Sequence, residues 1–146
     1  PIRHYVNISG SYGDYLKDVS QFSTEQRHIL SINLYVREVY GDGHYEFLTD
    51  SVGMVYLDVI EGLKAIGAEK YAEILEKAVS EFNGIDQPRF ELKQRIDIIN
   101  ELGLNFESAD DAVYSLDEYG EDIEKLQMAY IRSHISNFLF NNPQKH

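Results

Sequence analysis

Apolar residues recur at helical spacing along most of the chain, and the breaks between runs fall at glycine, proline and asparagine. "STEQ" at 23–26 reads as a capping box, in which Ser23 accepts from the backbone of Gln26 and the Gln26 side chain reaches back. Ile29, Leu30, Ile32, Leu34, Val36 and Val39 follow, which predicts a helix to about Tyr40, broken by "GDG" at 41–43. "MVYLDVIEGLKAIG" predicts a second helix stopped at Gly67. In the next, Tyr71, Ile74, Leu75, Ala78, Val79 and Phe82 form one face, while Glu and Lys alternate on the other. "NGIDQP" is a loop. Pro88 is expected to open a helix with Phe90, Leu92, Ile96, Ile99 and Leu102 inward, closed by Gly103. Ser108 with Asp111 three residues on suggests another cap, starting a short helix through Val113 and Leu116. Gly120 is a break, and a long final helix is expected from about Glu121 to Phe140, ended by "NNP". Residues 1–22 lack a sustained period and read as an irregular or partly helical arm, and "HYEFLTDSV" is too short and mixed for a strand. The pattern therefore predicts an all-α, single compact multi-helix domain of five to seven helices. Its expected limits are 23–141, with residues 142–146 as a tail.

Composition narrows the class. The chain has 146 residues, enough for one core without staples. It contains no cysteine, which excludes disulfides, thiol catalysis and cysteine-ligated metals and suits a reducing, cytoplasmic setting. No apolar run approaches the ~20 residues that span a bilayer, and no charged-then-apolar leader opens the chain. Because it begins at Pro1, a removed leader remains compatible with the sequence.

Charge changes the picture further. The net charge is −12, unevenly placed. "FESADDAVYSLDEYGEDIE" at 106–124 holds eight carboxylates, and nothing between Arg95 and Lys125 is positive. Such a field repels nucleic acid and anionic membranes and attracts basic partners, so no direct nucleic-acid binding and no membrane association are expected. Like charges at i, i+3 or i, i+4 cost about 0.2–0.5 kcal/mol a pair. Glu107–Asp110, Glu107–Asp111, Asp117–Glu121, Glu118–Asp122 and Glu121–Glu124 are such pairs, so the tract has a price that suggests selection for a negative surface. Neighbouring turns set side chains ~5–6 Å apart, comparable with phosphate separations in a nucleic-acid backbone. The expected partner-binding residues are Glu107, Asp110, Asp111, Asp117, Glu118, Glu121, Asp122 and Glu124, with Tyr114 and Tyr119 as apolar anchors or as packing beneath the acidic face.

Other chemistry finds less support. The tract lacks a calcium-binding ladder of alternating acids, and "YGDGHYEFLTDSVG" at 40–53 has no Lys or Arg nearby for a phosphate. His44, Glu46 and Asp50 match no metal spacing, so the segment reads as a structural turn. No nucleophile elbow occurs, and no two of the five histidines pair at i, i+4 with a third ligand in reach. No catalytic residues, metal or cofactor are expected.

Three blocks carry a resemblance: "QRHILSINLYVREVYGDGHYEFLTDSVG", "GLKAIGAEKYAEILEKAV" and "YSLDEYGEDIEKLQMAYIRSH". In order they resemble a bacterial domain family of largely unknown function whose best-known member is a DNA mimic protein. The likeness spans about residues 25–135. Where the family has Asn-Gly-Gly, an aromatic stretch and Asn-Ser, this chain has Gly41-Asp42-Gly43-His44, Tyr45, Phe47 and Asp50-Ser51. The resemblance implies an all-α fold and, for the studied member, dimers whose acidic face occupies the DNA-binding surface of another protein. The expectation is an acidic, non-enzymatic protein-binding module, DNA-mimic-like, that competes with nucleic acid for a basic DNA-binding protein of bacteria. The alternative is an immunity protein that neutralises a basic, nuclease-type toxin. Apolar Ile131, Ile135, Phe138, Leu139 and Phe140 near the end add a possible homodimer, joined away from 107–124.

Overall fold

In the computed structural model, which describes residues 6–120 and 122–139, the chain is a single compact all-α domain. Its helices are α1 (Tyr12–Val19), α2 (Thr24–Leu48), α3 (Tyr56–Ile66), α4 (Glu69–Ser80), α5 (Leu92–Leu102), α6 (Glu107–Tyr119) and α7 (Ile123–Ser133). Short 3-10 turns lie at Ser51–Val55 and Ile135–Phe138. No strand occurs among the described residues.

Helix α2 is the spine. It starts at the expected Ser23 box, whose two reciprocal hydrogen bonds are both made. The glycine-rich segment does not end it, however. Gly43 alone leaves helical geometry (φ 91°, ψ 175°), and the helix resumes to Leu48. Buried residues follow one another closely along its middle (Leu30, Ser31, Ile32, Leu34, Tyr35), because it is enclosed by several neighbours rather than one. Helix α3 packs on α2, α4 on α3, and α6 lies across both α4 and α2.

The core is aliphatic and aromatic, and polar contacts tie the other helices back to α2. Arg27 of α2 donates to Asp58 of α3 at 2.7 Å, and Asp58 also accepts from Tyr15 of α1. His28 lies 3.0 Å from the Tyr130 hydroxyl of α7 and 3.3 Å from Glu61 of α3. The Gln127 amide of α7 donates to Asn33 at 2.9 Å.

The most deeply placed tie is Arg95 of α5, which is fully buried and faces no carboxylate partner within ion-pair reach among the described residues. Its guanidinium donates to four backbone carbonyls: Leu48 at 2.8 Å, Asp50 at 2.6 Å, Arg89 at 3.2 Å, and Phe90. Two of these, Leu48 as the last residue of α2 and Asp50 just beyond it, lie at the C-terminal end of that helix, where carbonyls lack intrahelical partners and the helix dipole favours a cation. Burial pushes its pKa down to about 10, so it stays charged at neutral pH. The space is made by Gly53: a Cβ there would sit 2.5 Å from the Phe47 carbonyl and 3.2 Å from Arg95.

Several expected boundaries are corrected. The N-terminal arm takes the partly helical form that its sequence allowed: α1 is capped by a box of Ser11 and Asp14 and puts Tyr15 and Val19 in the core. Pro88 does not open α5; the helix begins at Leu92 with Glu91 as N-cap, because the preceding carbonyls of Arg89 and Phe90 turn inward onto Arg95. Ser108 is not a cap. Phe106 precedes α6 in a left-handed conformation (φ 60°) that buries its ring, and Asn105 accepts from the Glu107 amide instead. The final helix is shorter than expected, running from Ile123 to Ser133 before a 3-10 turn. Phe140 lies outside the described residues. Among those residues no helix is long and apolar enough to cross a membrane.

Arg95→Met replaces the five-donor fork with an apolar side chain and removes the donor that four backbone carbonyls share. It is expected to cost about 3 kcal/mol or more, measured as the shift in urea-unfolding free energy. A loss under about 1 kcal/mol would contradict the role given to Arg95.

Candidate functional site

The acidic tract is built on α6, the Gly120 break and the start of α7. Asp110 and Asp117 lie seven positions apart, two helical turns, and so share one side of α6. Each ends a hydrogen-bond chain that begins at a buried tyrosine. In the first, the Tyr35 hydroxyl and His44 Nε2 are 2.7 Å apart, and His44 Nδ1 lies 2.7 Å from Asp110 Oδ1. The same oxygen accepts from the His44 backbone N–H at 2.8 Å. The carboxylate thus caps the resumed part of α2 from another helix.

Proton placement in this chain follows from burial. The imidazole is fully buried, and desolvation, outweighing the Asp110 hydrogen bond and charge, holds its pKa below the ordinary value. A neutral ring then donates from Nδ1 to Asp110 and accepts at Nε2 from Tyr35, whose own pKa burial raises. Gly43 is required beside it, since a Cβ there would approach Asp110 Oδ2 to 2.9 Å at a φ that L-residues avoid.

In the second chain, Tyr71 of α4, Tyr40 of α2 and Asp117 follow one another. The Tyr40 hydroxyl donates to Asp117 Oδ1 at 3.1 Å and lies 3.2 Å from the Tyr71 hydroxyl. Because the carboxylate only accepts, Tyr71 is the donor to Tyr40. Desolvation, reinforced by these partners, raises the Tyr40 pKa and keeps the phenol protonated.

The remaining predicted residues fall differently. Asp122 caps α7, its Oδ1 accepting from the Lys125 backbone N–H at 3.1 Å. Glu107, Asp111 and Glu124 are exposed. The side chain of Glu118 and the whole of Glu121 lie outside the described set, as does the Tyr119 side chain. Tyr114 is 78 % exposed, so it does not pack beneath the face. Of the acids from 107 to 124, none pairs with a Lys or Arg among the described residues, and Asp110 contacts a neutral imidazole, that of His44.

Two clefts flank the Tyr40–Asp117 contact. The larger, about 630 Å³, lies between α2 and α7 and is edged by Asp117, Asp122 and Glu124 over Val36 and Ile123. The smaller, about 350 Å³, is bordered by Asp42, Asp110, Asp117 and Tyr114. No Lys, Arg or His lines either among the described residues. The 40–53 segment forms no ligand loop of its own: His44 turns inward with both nitrogens occupied, and Asp50 accepts from the Ser51 backbone N–H. No group of three potential ligands that would hold a metal occurs among the described residues.

Sequence reasoning placed the acids but missed Tyr40, Tyr71 and the inward duty of Asp110 and Asp117. The seven-residue spacing of the two aspartates was the available signal; their partners, in distant segments, gave none.

A family model described as DMP19-like protein matches residues 20–134. No protein of curated function matches the chain, and no solved structure does.

Two outcomes are expected from the His44 arrangement. Folded His44 resists protonation while the unfolded chain takes up a proton below about 6.5, so the unfolded state binds more protons as pH falls. Its contribution to stability is full above that value and is lost progressively as pH drops towards the folded pKa. Urea titrations at pH 7.5 and 5.5 should show this loss, and His44→Gln should flatten the difference. Gly43→Ala should cost about 1–3 kcal/mol through the forbidden backbone conformation, read in the same titrations.

Proposed function

The chain belongs to the DMP19-like protein family, and from its charge distribution we propose that it is a DNA-mimic-like binding module that occupies the nucleic-acid-binding surface of a basic protein. The observation that carries this reading is the set of carboxylates on α6 and the start of α7 that pair with no cation among the described residues. Glu107, Asp111 and Glu124 are exposed and make no ion pair among the described residues, and Glu124 edges a cleft that no basic side chain lines. Uncompensated charge on neighbouring turns destabilises the free protein slightly and is relieved when a positive surface arrives. Asp110 and Asp117 serve the same surface from within, by fixing α6 against α2 so that the outward charges keep their spacing. Nothing in this role calls for catalysis, a metal or a cofactor, and the reading is non-enzymatic and cytoplasmic.

Two copies extending one negative surface would suit a long basic groove. We propose such a homodimer through the exposed Met128, Ile135 and Leu139, away from α6.

The experiment is capture of proteins from native lysate on the immobilised chain at low salt, followed by displacement with duplex DNA. Basic DNA-binding proteins should be retained, leave as salt rises, and be released by competing duplex. Glu107→Gln, Asp111→Asn and Glu124→Gln combined should weaken retention of the captured protein by at least about tenfold at low ionic strength. The same variant should fold at least as stably as the parent, because like-charge repulsion is relieved. Retention that ignores both salt and duplex DNA would overturn the proposal, and a captured nuclease toxin would favour the immunity reading.

A further inference from the structure

Helix α6 sits lightly for its length. Among its described residues Val113 is the one buried side chain, whereas α4, of similar length, buries Tyr71, Ala72, Leu75, Ala78 and Val79. Much of its hold on α2 therefore passes through Asp110, which accepts two hydrogen bonds from His44. Just before the helix the backbone is left-handed at both Gly103 (φ 65°) and Phe106 (φ 60°), a place where the chain changes direction. The smaller cleft is bordered by Gly43, Asp110 and Val113, and so brings solvent up to this contact.

The contact suits a neutral ring. His44 Nδ1–H donates to Asp110, and Nε2 accepts from the Tyr35 hydroxyl. A second ring proton sits on Nε2, 2.7 Å from the Tyr35 oxygen, so the hydroxyl has to turn its own hydrogen away. Tyr35 is buried and makes no second hydrogen bond among the described residues, so the turned hydrogen finds no acceptor there. The charged group that compensates a protonated ring is Asp110, whose Oδ1 is already shared between the ring and the backbone. The other titratable groups on this side are Tyr71 of α4, which bears on Tyr35, and Tyr40, Asp42, Tyr114 and Asp117 around the cleft. Burial is the largest influence on the ring and opposes its charge.

We propose that His44 is a proton-operated latch, whose protonation releases the first turns of α6 from α2 while α3 and α4 stay folded. Hydration of the ring requires only that Asp110 and the turn around it lift, which exposes far less apolar surface than opening α3 or α4. A ring opened to water regains its ordinary pKa of about 6.5, so it takes up a proton that the closed ring refuses. Release is therefore rare above that value and grows as pH falls through it, by up to about tenfold between pH 7.5 and 5.5. The latch is independent of any partner's identity. Under the binding role argued above, it makes the spacing of Glu107 and Asp111 sensitive to acid.

The test is hydrogen exchange of the full chain, read by nuclear magnetic resonance at pH 7.5 and 5.5 in a series of low urea concentrations and corrected for intrinsic rates. The His44 backbone N–H, bonded to Asp110, reports the latch directly, together with the Ala112 and Val113 amides. These should exchange through an opening that urea does not promote, about five- to tenfold more populated at pH 5.5 than at 7.5. The Leu63 and Leu75 amides should exchange only through urea-sensitive unfolding of the whole domain. His44→Gln should make the local opening equal at the two pH values. Equal urea sensitivity in α6 and in the core at both pH values would overturn the proposal. A pH effect that survives His44→Gln would also do so, since it belongs to His28, His134 or a carboxyl group. Should the variant fail to fold, the parent protein decides: a His44 ring that titrates at about 6.5 while its backbone N–H stays protected refutes the latch. None of these results bears on the charge-based reading of the acidic face.

Discussion

The arrangement depends on the bend of α2 at Gly43 and on the carboxylate that holds it. Asp110 accepts from the His44 backbone and ring together, so a residue of the acidic tract completes a helix from a different part of the chain. That contact fixes where α6 lies, and the position of α6 decides where the outward acids point. With Asp117 tied to Tyr40 two turns later, α6 is gripped at two levels. Negative surface and hydrophobic core are thus joined through two chains of hydrogen bonds, each rooted in a tyrosine that water does not reach.

This divides the acids into two kinds. Asp110, Asp117 and Asp122 have backbone or phenol partners and are part of the architecture. Glu107, Asp111 and Glu124 pair with no cation among the described residues and contribute mainly potential. Neutralising the first kind disturbs geometry, whereas neutralising the second changes mainly the field. A uniform view of the tract as solvated surface misses the distinction, because a run of acids looks the same whether its members face water or a neighbouring helix.

Much of the fold was legible because its signals are local. The Ser23 box, the stop at Gly67 and the one-sided pattern of α4 each depend on residues within a turn or two. The features that were misjudged depend on distant partners. Gly43 looked like a helix end, since its role as a kink needs Asp110, 66 positions from the neighbouring His44, beside it. Pro88 resembled a helix start, and only Arg95 shows why the chain stays extended until Glu91. The candidate site was legible as charge, not as shape, because Tyr40 and Tyr71 carry no local mark of the carboxylate they serve.

Arg95 also bears on how the chain is made. Its acceptor at Leu48 is 47 positions earlier, so the end of α2 waits for residues not yet synthesised. At about 5–20 residues per second, synthesis of the intervening stretch leaves that end open for several seconds. During this interval α2, α3 and α4 have emerged with apolar surface to bury, while the carbonyls beyond α2 still face water. The C-terminal end of α2 thus reaches its final set of hydrogen bonds only once α5 is in place.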